Sequence, residues 1–213
     1  MQHNGCFITF EGGEGVGKST QLQELCRRLD RRQIDYIVSR EPGGTPVGEQ
    51  IRAILLSRES QMVPECEALL YAASRAQLVQ EVIGPALNRG MVVICDRYVD
   101  SSLAYQGYGL GLGFEAVAGA NALATGALQP DLTIVLLLPP DEGLRRRSSA
   151  GPADRIEART LEFHRRVEEG YRNLLVRYPH RMVAIDASRP VEEMADEIER
   201  EVVRILESKQ IIK

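Results

Sequence analysis

Residues Cys6–Leu29 read CFITFEGGEGVGKSTQLQELCRRL, and this stretch decides the fold. It begins with an apolar run that predicts a buried strand. The segment Gly12–Ser19 then fits the pattern GxxxxGK[ST]. Beyond it, Leu22, Leu25 and Leu29 recur at the spacing of one helix face. A glycine-rich turn between a strand and a helix binds phosphate through backbone N–H groups and the helix N-terminus, so the sequence predicts a phosphate-binding loop.

The motif predicts roles for two side chains of this loop. Lys18 can reach the β- and γ-phosphate oxygens, and Ser19 can ligate Mg²⁺. The run Met91–Asp96 is an apolar strand that ends in a carboxylate, which predicts that Asp96 lies beside the same metal ion. The alternative is a glycine-rich turn that binds no ligand. The predicted ATP-binding residues are Gly12, Gly13, Glu14, Gly15, Val16, Gly17, Lys18, Ser19 and Thr20.

Bulk composition limits the class of protein. The chain has 213 residues, of which 44% are hydrophobic and 26% are charged, so we expect a single domain over residues 1–213. A formal charge of −4 provides no general attraction to nucleic acid or to membranes, and neither is an expected partner. No signal peptide or membrane-length apolar run is apparent, which predicts a cytoplasmic protein. The four cysteines lack metal-binding spacing and are expected to be buried free thiols.

Strand-like and helix-like segments alternate along the whole chain, which predicts an α/β fold with a parallel sheet covered by helices on both faces. A long helical stretch, 65–88, contains Gly84-Pro85, which should kink or break the helix there. Another helix is expected over 156–178, and a third near the C-terminus. The five predicted strands are Cys6–Phe10, Asp35–Ser39, Met91–Cys95, Leu132–Leu138 and Met182–Asp186.

The class of phosphate-loop protein can be narrowed by elimination. A GTPase would need an NKxD segment that reads the base, and the sequence contains none. Translocating ATPases are usually larger and carry further motifs. A small kinase therefore remains, acting on a nucleoside or on a nucleoside monophosphate. The alternative from another class is a nucleotide-binding regulatory or scaffold protein without turnover.

Several ordered segments resemble the thymidylate kinase family over nearly the whole chain. They are 10–19 (FEGGEGVGKS), 40–45 (REPGGT), 71–75 (YAASR), 96–98 (DRY), 101–107 (SSLAYQG) and 154–157 (DRIE). The resemblance implies the P-loop nucleoside-monophosphate kinase fold, with a five-stranded parallel sheet, helices on both faces and a short lid at about 145–157. It also implies a homodimer, with Mg²⁺ and ATP as donor and dTMP as acceptor.

The resemblance also implies roles for individual side chains. Glu14 would lie near the acceptor 3′-hydroxyl, and Tyr105 would pack on the deoxyribose. Tyr71 and Arg75 share one helix face, where the ring could stack on thymine and the guanidinium could donate to its O4. Exposed or core positions remain alternatives for Glu14, Arg52 and Tyr71. The implied dTMP-binding residues are Glu14, Arg40, Arg52, Tyr71, Arg75, Arg97, Ser101, Ser102, Tyr105 and Gln106.

The lid should supply a catalytic cation, because Gly15 stands where some relatives have an arginine. Arg155 is the leading candidate, and the predicted catalytic set is Lys18, Asp96, Arg97 and Arg155. The lid tip 148–153 lacks the arginines that many bacterial relatives carry, so the contribution of 145–147 (RRR) stays open. The segment 186–190 (DASRP) resembles the loop that borders adenine, and the three histidines, His3, His164 and His180, are predicted to be surface or structural residues.

Overall fold

A computed structural model describes residues 4–148, 151 and 153–212, so His3 and the lid-tip residues Ser149, Ala150 and Pro152 lie outside the described part. All strand pairs are parallel, and across the sheet the strands lie in the order second, third, first, fourth and fifth along the chain. The predicted α/β class and five-stranded sheet are confirmed, with strand ends that differ from the prediction by no more than two residues. The strands are β1 (Cys6–Gly12), β2 (Tyr36–Arg40), β3 (Val92–Asp96), β4 (Leu132–Leu137) and β5 (Met182–Asp186).

Helices connect these strands and cover both faces of the sheet. Two segments, Val79–Ile83 and Leu103–Gly109, have the wider π-helical turn. The α-helices are α1 (Lys18–Arg31), α2 (Pro46–Leu56), α3 (Pro64–Leu78), α4 (Gly84–Asn88), α5 (Val99–Ser102), α6 (Phe114–Thr125), α7 (Pro140–Ser148), α8 (Leu161–Arg177) and α9 (Val191–Ser208).

The core follows from the alternation of side chains along the strands. In β1, Ile8 and Phe10 face a buried cluster that contains the apolar stripes of α1 and α9. Phe7 points to the opposite face, where it packs in a cluster with residues of α3 and α4. Because both faces are covered, β1 is buried along its whole length, as expected for the central strand of a parallel sheet.

The long helix over 65–88 is interrupted as predicted. The π-helical segment Val79–Ile83 lies just before Gly84-Pro85. Proline has no N–H and its ring clashes with the carbonyl four residues earlier, and a widened turn relieves this conflict.

The predicted helix over 156–178 is wrong at its start, because α8 begins at Leu161. Thr160 caps it by accepting a hydrogen bond from Phe163 N at 3.3 Å. The preceding turn is stabilised separately, since Asp154 Oδ1 accepts from the backbone N–H groups of Ile156 and Glu157 at 2.8 and 2.9 Å.

The prediction of four buried thiols holds for Cys6 and Cys95 only. Cys66 is exposed and Cys26 is partly exposed, while all four are free. Cys66 lies in the first turn of α3, on the side that faces away from the core. In the described part of the chain, no helix combines the length and apolarity needed to cross a bilayer.

Candidate active site

A cavity of about 460 Å³ opens at the carboxyl ends of β1 and β3. This edge carries the ligand sites of doubly wound sheets, because the chain turns to opposite sides of the sheet after neighbouring strands. The cavity extends from the phosphate-binding loop at one end to α3 and the Leu103–Gly109 segment at the other. The predicted site residues that line it are Glu14, Gly15, Val16, Gly17, Lys18, Ser19, Thr20, Arg40, Arg52, Tyr71, Asp96, Arg97, Ser101, Ser102, Tyr105 and Gln106.

The phosphate-binding loop follows β1 directly and contains glycines in left-handed conformation, including Gly15 (φ 65°) and Gly17 (φ 90°). Lys18 opens α1, and its Nζ donates to Gly13 O at 2.8 Å and to Gly12 O at 3.2 Å. Burial, followed by the neighbouring charge of Arg97, lowers the pKa of Lys18 to about 8. The ammonium group is thus held inside the loop. Charged phosphate oxygens there would be stronger hydrogen-bond acceptors for it than these two carbonyl oxygens.

The helix α7 packs closely on this loop at Gly15. A Cβ added at Gly15 would lie 2.0 Å from Gly143 O and 3.2 Å from Arg147 N, and one added at Gly143 would lie 2.2 Å from Glu14 O. Neither contact is sterically possible without moving the helix. An arginine at position 15 therefore does not fit this arrangement, which gives a physical reason for the glycine.

Asp96 ends β3 beside Phe10 of β1, next to the loop. Its Oδ1 is buried and has no hydrogen-bond partner among the residues that the structure describes. Ser19 is exposed in the first turn of α1 and lines the same cavity. An unsatisfied carboxylate oxygen and a hydroxyl suit Mg²⁺, which is usually held by one or two protein groups together with phosphates and water. Among the described residues, no group of three or more acidic, histidine or cysteine side chains is arranged so that it could hold a metal ion.

Arg97 is the centre of a hydrogen-bonded network. Its backbone is left-handed (φ 72°), a conformation that is uncommon for arginine and is enriched at functional sites. Its Nη1 donates to Gly12 O at 3.0 Å, and its Nη2 donates to Glu14 Oε1 at 2.9 Å and to Tyr105 OH at 3.0 Å. The Tyr105 hydroxyl in turn donates to Glu14 at 2.6 Å.

The ionisation of Glu14 follows from these contacts. Burial acts to raise its pKa, but the charges of Arg97 and Lys18 and the Tyr105 hydroxyl outweigh burial and lower the pKa to about 2. Glu14 is therefore a carboxylate at neutral pH.

Glu11 is a buried acid beside the Arg97 network, and the sequence prediction did not include it. It is fully buried in β1 and accepts from Tyr98 N at 2.8 Å and from Tyr171 OH at 2.9 Å. It also accepts from Ser101 Oγ, which contacts Arg97. Burial, then the charge of Asp100, raises the pKa of Glu11 to about 7. A lone acid inside an apolar strand was the signal that could have identified it.

Arg40 and Arg52, two of the residues implied to bind dTMP, each contact another protein group. Arg40 Nη2 lies 3.1 Å from Glu49 Oε1, and Arg52 Nη1 donates to Pro42 O at 2.8 Å. Both side chains line the cavity.

Arg75 does not line the cavity, contrary to the expectation that it faces the base. It is 1% exposed and ion-pairs with Glu41. Both terminal nitrogens also donate hydrogen bonds: Nη1 donates to Ser102 Oγ at 3.0 Å and Nη2 to Tyr98 O at 2.9 Å. Buried charges need such partners, so in this structure Arg75 supports the wall behind Ser102.

Arg155 is also absent from the cavity wall. Its Nη1 lies 2.8 Å from Glu67 Oε2 and its Nε donates to Leu55 O at 2.7 Å. A nearby buried carboxylate therefore determines the position of Arg155. Two arginines of the 145–147 segment, Arg146 and Arg147, do line the cavity.

The lid arginines connect to other parts of the protein. Arg147 Nε lies 2.6 Å from Glu157 Oε1, across the lid. Arg146 Nη1 donates to Ala187 O at 3.0 Å, within the loop predicted to border adenine. The histidine prediction agrees with the structure for His164, which is buried in the first turn of α8.

Comparison with known proteins agrees with this geometry. A family model described as thymidylate kinase matches residues 10–198. The chain is 50% identical to a thymidylate kinase of Exiguobacterium sp. over 92% of each chain. It is also 50% identical to one of Symbiobacterium thermophilum over 94% of each chain, and to one of Deinococcus radiodurans over 91% of this chain and 94% of the relative. The chain belongs to the thymidylate kinase family.

Proposed function

We propose that this protein transfers the γ-phosphoryl group of ATP to dTMP, with Mg²⁺ as cofactor. The observation that carries the proposal is the position of Arg97, which contacts the phosphate-binding loop at Gly12 and the opposite half of the cavity at Tyr105. Donor and acceptor phosphates that enter from the two ends would meet at this guanidinium. Bringing two anions together requires such a charge between them.

The donor half consists of the loop amides, Lys18 and the start of α1. We infer that the β- and γ-phosphates displace Gly12 O and Gly13 O as partners of the Lys18 ammonium group. Ser19 and Asp96 would hold Mg²⁺, which neutralises charge on the phosphates when it is bound. The backbone N–H groups of the loop lie at the N-terminus of α1. They are therefore already arranged to donate hydrogen bonds to the phosphates of ATP.

The acceptor half contains the guanidinium groups of Arg40 and Arg52, which suit the dTMP phosphate, and the Tyr71 ring, which suits a flat base. Glu14 and Tyr105 lie where the two halves meet, and we propose that they contact the deoxyribose. Ser101, Ser102 and Gln106 complete the polar lining, whereas Arg75 would act on the base only through Ser102.

We further propose that Arg147, and not Arg155, is the lid cation that neutralises the transferring phosphoryl group. Arg147 lines the cavity, and its backbone N lies close to Gly15 of the phosphate-binding loop. Its present partner Glu157 also lines the cavity, so exchange of this carboxylate for a phosphate needs only a side-chain movement. Closure of such a lid excludes water, which would otherwise accept the phosphoryl group.

The test of the proposed function is ADP formation with purified protein, Mg·ATP and one acceptor at a time. The proposal expects rapid turnover with dTMP and slower turnover with dUMP, UMP, CMP and thymidine. Preference for another acceptor would identify a different small kinase. Binding of ATP without ADP formation for any acceptor would favour the nucleotide-binding regulatory or scaffold alternative.

We also propose a homodimer that acts in the cytoplasm. The helices α2, α3 and α6 pack side by side, and each exposes a large apolar side chain: Ile54 (50%), Leu69 (61%) and Leu123 (90%). A second copy of the chain would cover this face. Light scattering should give twice the monomer mass, and Leu69→Glu should shift the protein toward monomer. A monomeric wild-type protein at micromolar concentration would contradict the dimer.

A further inference from the structure

Glu67 is a buried carboxylate that no step of the proposed transfer uses. It lies on α3 one turn before Tyr71 and is 1% exposed. Its Oε2 lies 2.8 Å from Arg155 Nη1 and 2.7 Å from Arg159 Nη2. Its Oε1 accepts a hydrogen bond from Gln106 Nε2 at 3.0 Å. Gln106 lines the cavity and Glu67 does not, so Glu67 contacts the site through this amide.

The contact determines which way the Gln106 amide points. A carboxylate between two guanidinium groups only accepts hydrogen bonds, so the amide nitrogen must face Glu67 and the amide oxygen must face away. Gln106 is 2% exposed, and within the described part of the chain its Oε1 accepts no hydrogen bond. The atom that Gln106 offers to a ligand in the cavity is therefore an acceptor.

The edge of a pyrimidine base distinguishes an acceptor from a donor. At N3, thymine and uracil carry a hydrogen and donate, whereas cytosine has a lone pair and accepts. We propose that Glu67 is a positioning residue that fixes the Gln106 amide with its oxygen toward the base, so that the site selects pyrimidines with a hydrogen on N3. This inference rests on the proposed function, because it takes a pyrimidine monophosphate as the acceptor.

The two arginines make Glu67 a suitable orienting group. They engage Oε2 and leave Oε1 for Gln106, so the two carboxylate oxygens have separate partners. This separation suggests a specific test. In Glu67→Gln the remaining oxygen stays with the two cations, and the new NH₂ group faces Gln106. The Gln106 amide must then turn to accept this hydrogen bond, and its own NH₂ group points into the cavity.

The experiment measures kcat/KM for dTMP and for dCMP at saturating Mg·ATP. In Glu67→Gln, kcat/KM should fall for dTMP and rise for dCMP, and their ratio should fall by at least about tenfold. The KM for ATP should stay unchanged. The matched control is Glu65→Gln, because Glu65 is an exposed acid in the first turn of the same helix. This control should leave the ratio unchanged.

Two further variants test whether Glu67 orients the Gln106 amide or only supports the fold around the cavity. Gln106→Leu keeps the contacts of Glu67 with Arg155 and Arg159, and it should also reduce the ratio of kcat/KM for dTMP to that for dCMP. Adding Glu67→Gln to this variant should not change the ratio further. Equal losses for dTMP and dCMP in Glu67→Gln, or an unchanged ratio in Gln106→Leu, would overturn the inference. Absence of dTMP turnover by the wild-type protein would instead contradict the proposed function itself.

Discussion

Arg97 Nη2 lies 2.9 Å from Glu14 Oε1, and this ion pair joins the end of β3 to the phosphate-binding loop across the floor of the cavity. Both side chains are largely shielded from water, at 17% and 15% exposure. The pair therefore keeps an acid inside a loop that binds anions, because the arginine neutralises it before any substrate arrives. It also holds the guanidinium at the position where the two phosphates are proposed to meet.

The first prediction concerns Lys18 and pH. Since the lowered pKa of Lys18 is about 8, the ammonium group loses its proton as pH rises above that value, and nucleotide affinity should then fall. The dissociation constant of an ATP analogue should rise by about tenfold per pH unit above pH 8, as for a single titrating group. Calorimetric titration between pH 6.5 and 9.5 measures it.

The Lys18→Met variant should bind the ATP analogue more weakly than the wild type, and its affinity should not show this pH dependence. Its kcat should be lower by at least about 100-fold. Lys209→Met is the matched control, because Lys209 pairs with Asp131 far from the cavity lining. Constant wild-type affinity up to pH 9.5 would show that Lys18 does not titrate in this range.

The second prediction concerns Glu11 and stability. Its pKa is raised from 4.5 to about 7 in the folded chain, so the folded state binds a proton that the unfolded state has lost. Between these values the free energy of unfolding should decrease as pH rises, and the part of this decrease that is due to Glu11 should be about 3 kcal/mol by pH 8. Burial raises the pKa of Glu41 to about 7 as well, so both acids contribute to the slope.

Glu11→Gln should remove the Glu11 contribution and flatten the decline. Urea denaturation at pH 5, 6, 7 and 8 measures the free energy of unfolding, with the exposed acid substitution Glu59→Gln as control. The same pH slope in Glu11→Gln and wild type would mean that Glu11 keeps its ordinary pKa.

The third prediction distinguishes the roles of Arg147 and Arg155. Arg147→Ala should lower kcat by at least about 100-fold with little change in either KM, because the cation contacts charge that develops during transfer. Arg155→Ala should instead lower stability, since it removes a partner of the buried Glu67 carboxylate. Steady-state kinetics and thermal denaturation of both variants provide the comparison.

Arg145→Ala controls for charge on the same helix, because Arg145 is exposed and does not line the cavity. If Arg155→Ala loses turnover while Arg147→Ala retains it, the assignment made from the cavity lining is wrong.

The fourth prediction concerns discrimination between sugars by Tyr105. The ring packs edge-on against Phe163, with centroids 6.1 Å apart, and is held in place by its hydroxyl contacts with Glu14 and Arg97. A ring against C2′ of the acceptor would leave no room for a hydroxyl. Tyr105→Ala should therefore narrow the gap in kcat/KM between dTMP and its ribonucleotide counterpart.

Tyr105→Phe is the matched control, because it keeps the ring and should keep the gap. Both values of kcat/KM are measured at saturating Mg·ATP. A constant ratio in Tyr105→Ala, with both rates reduced, would assign discrimination to another group.

Local sequence determined much of this protein. The run Cys6–Leu29 dictates strand, loop and helix through periodicity and glycine content, and near-continuous apolar runs mark all five buried strands. The phosphate-loop motif and the resemblance to the thymidylate kinase family together identified most of the residues that line the cavity.

Tertiary structure decided where the arginines point. Arg75 and Arg155 have motif positions that suggested ligand contact, but Glu41 and Glu67, each distant in sequence, pair with them instead. A guanidinium on a long flexible side chain is directed by whichever buried carboxylate lies within reach, and that partner is known only after the chain has folded.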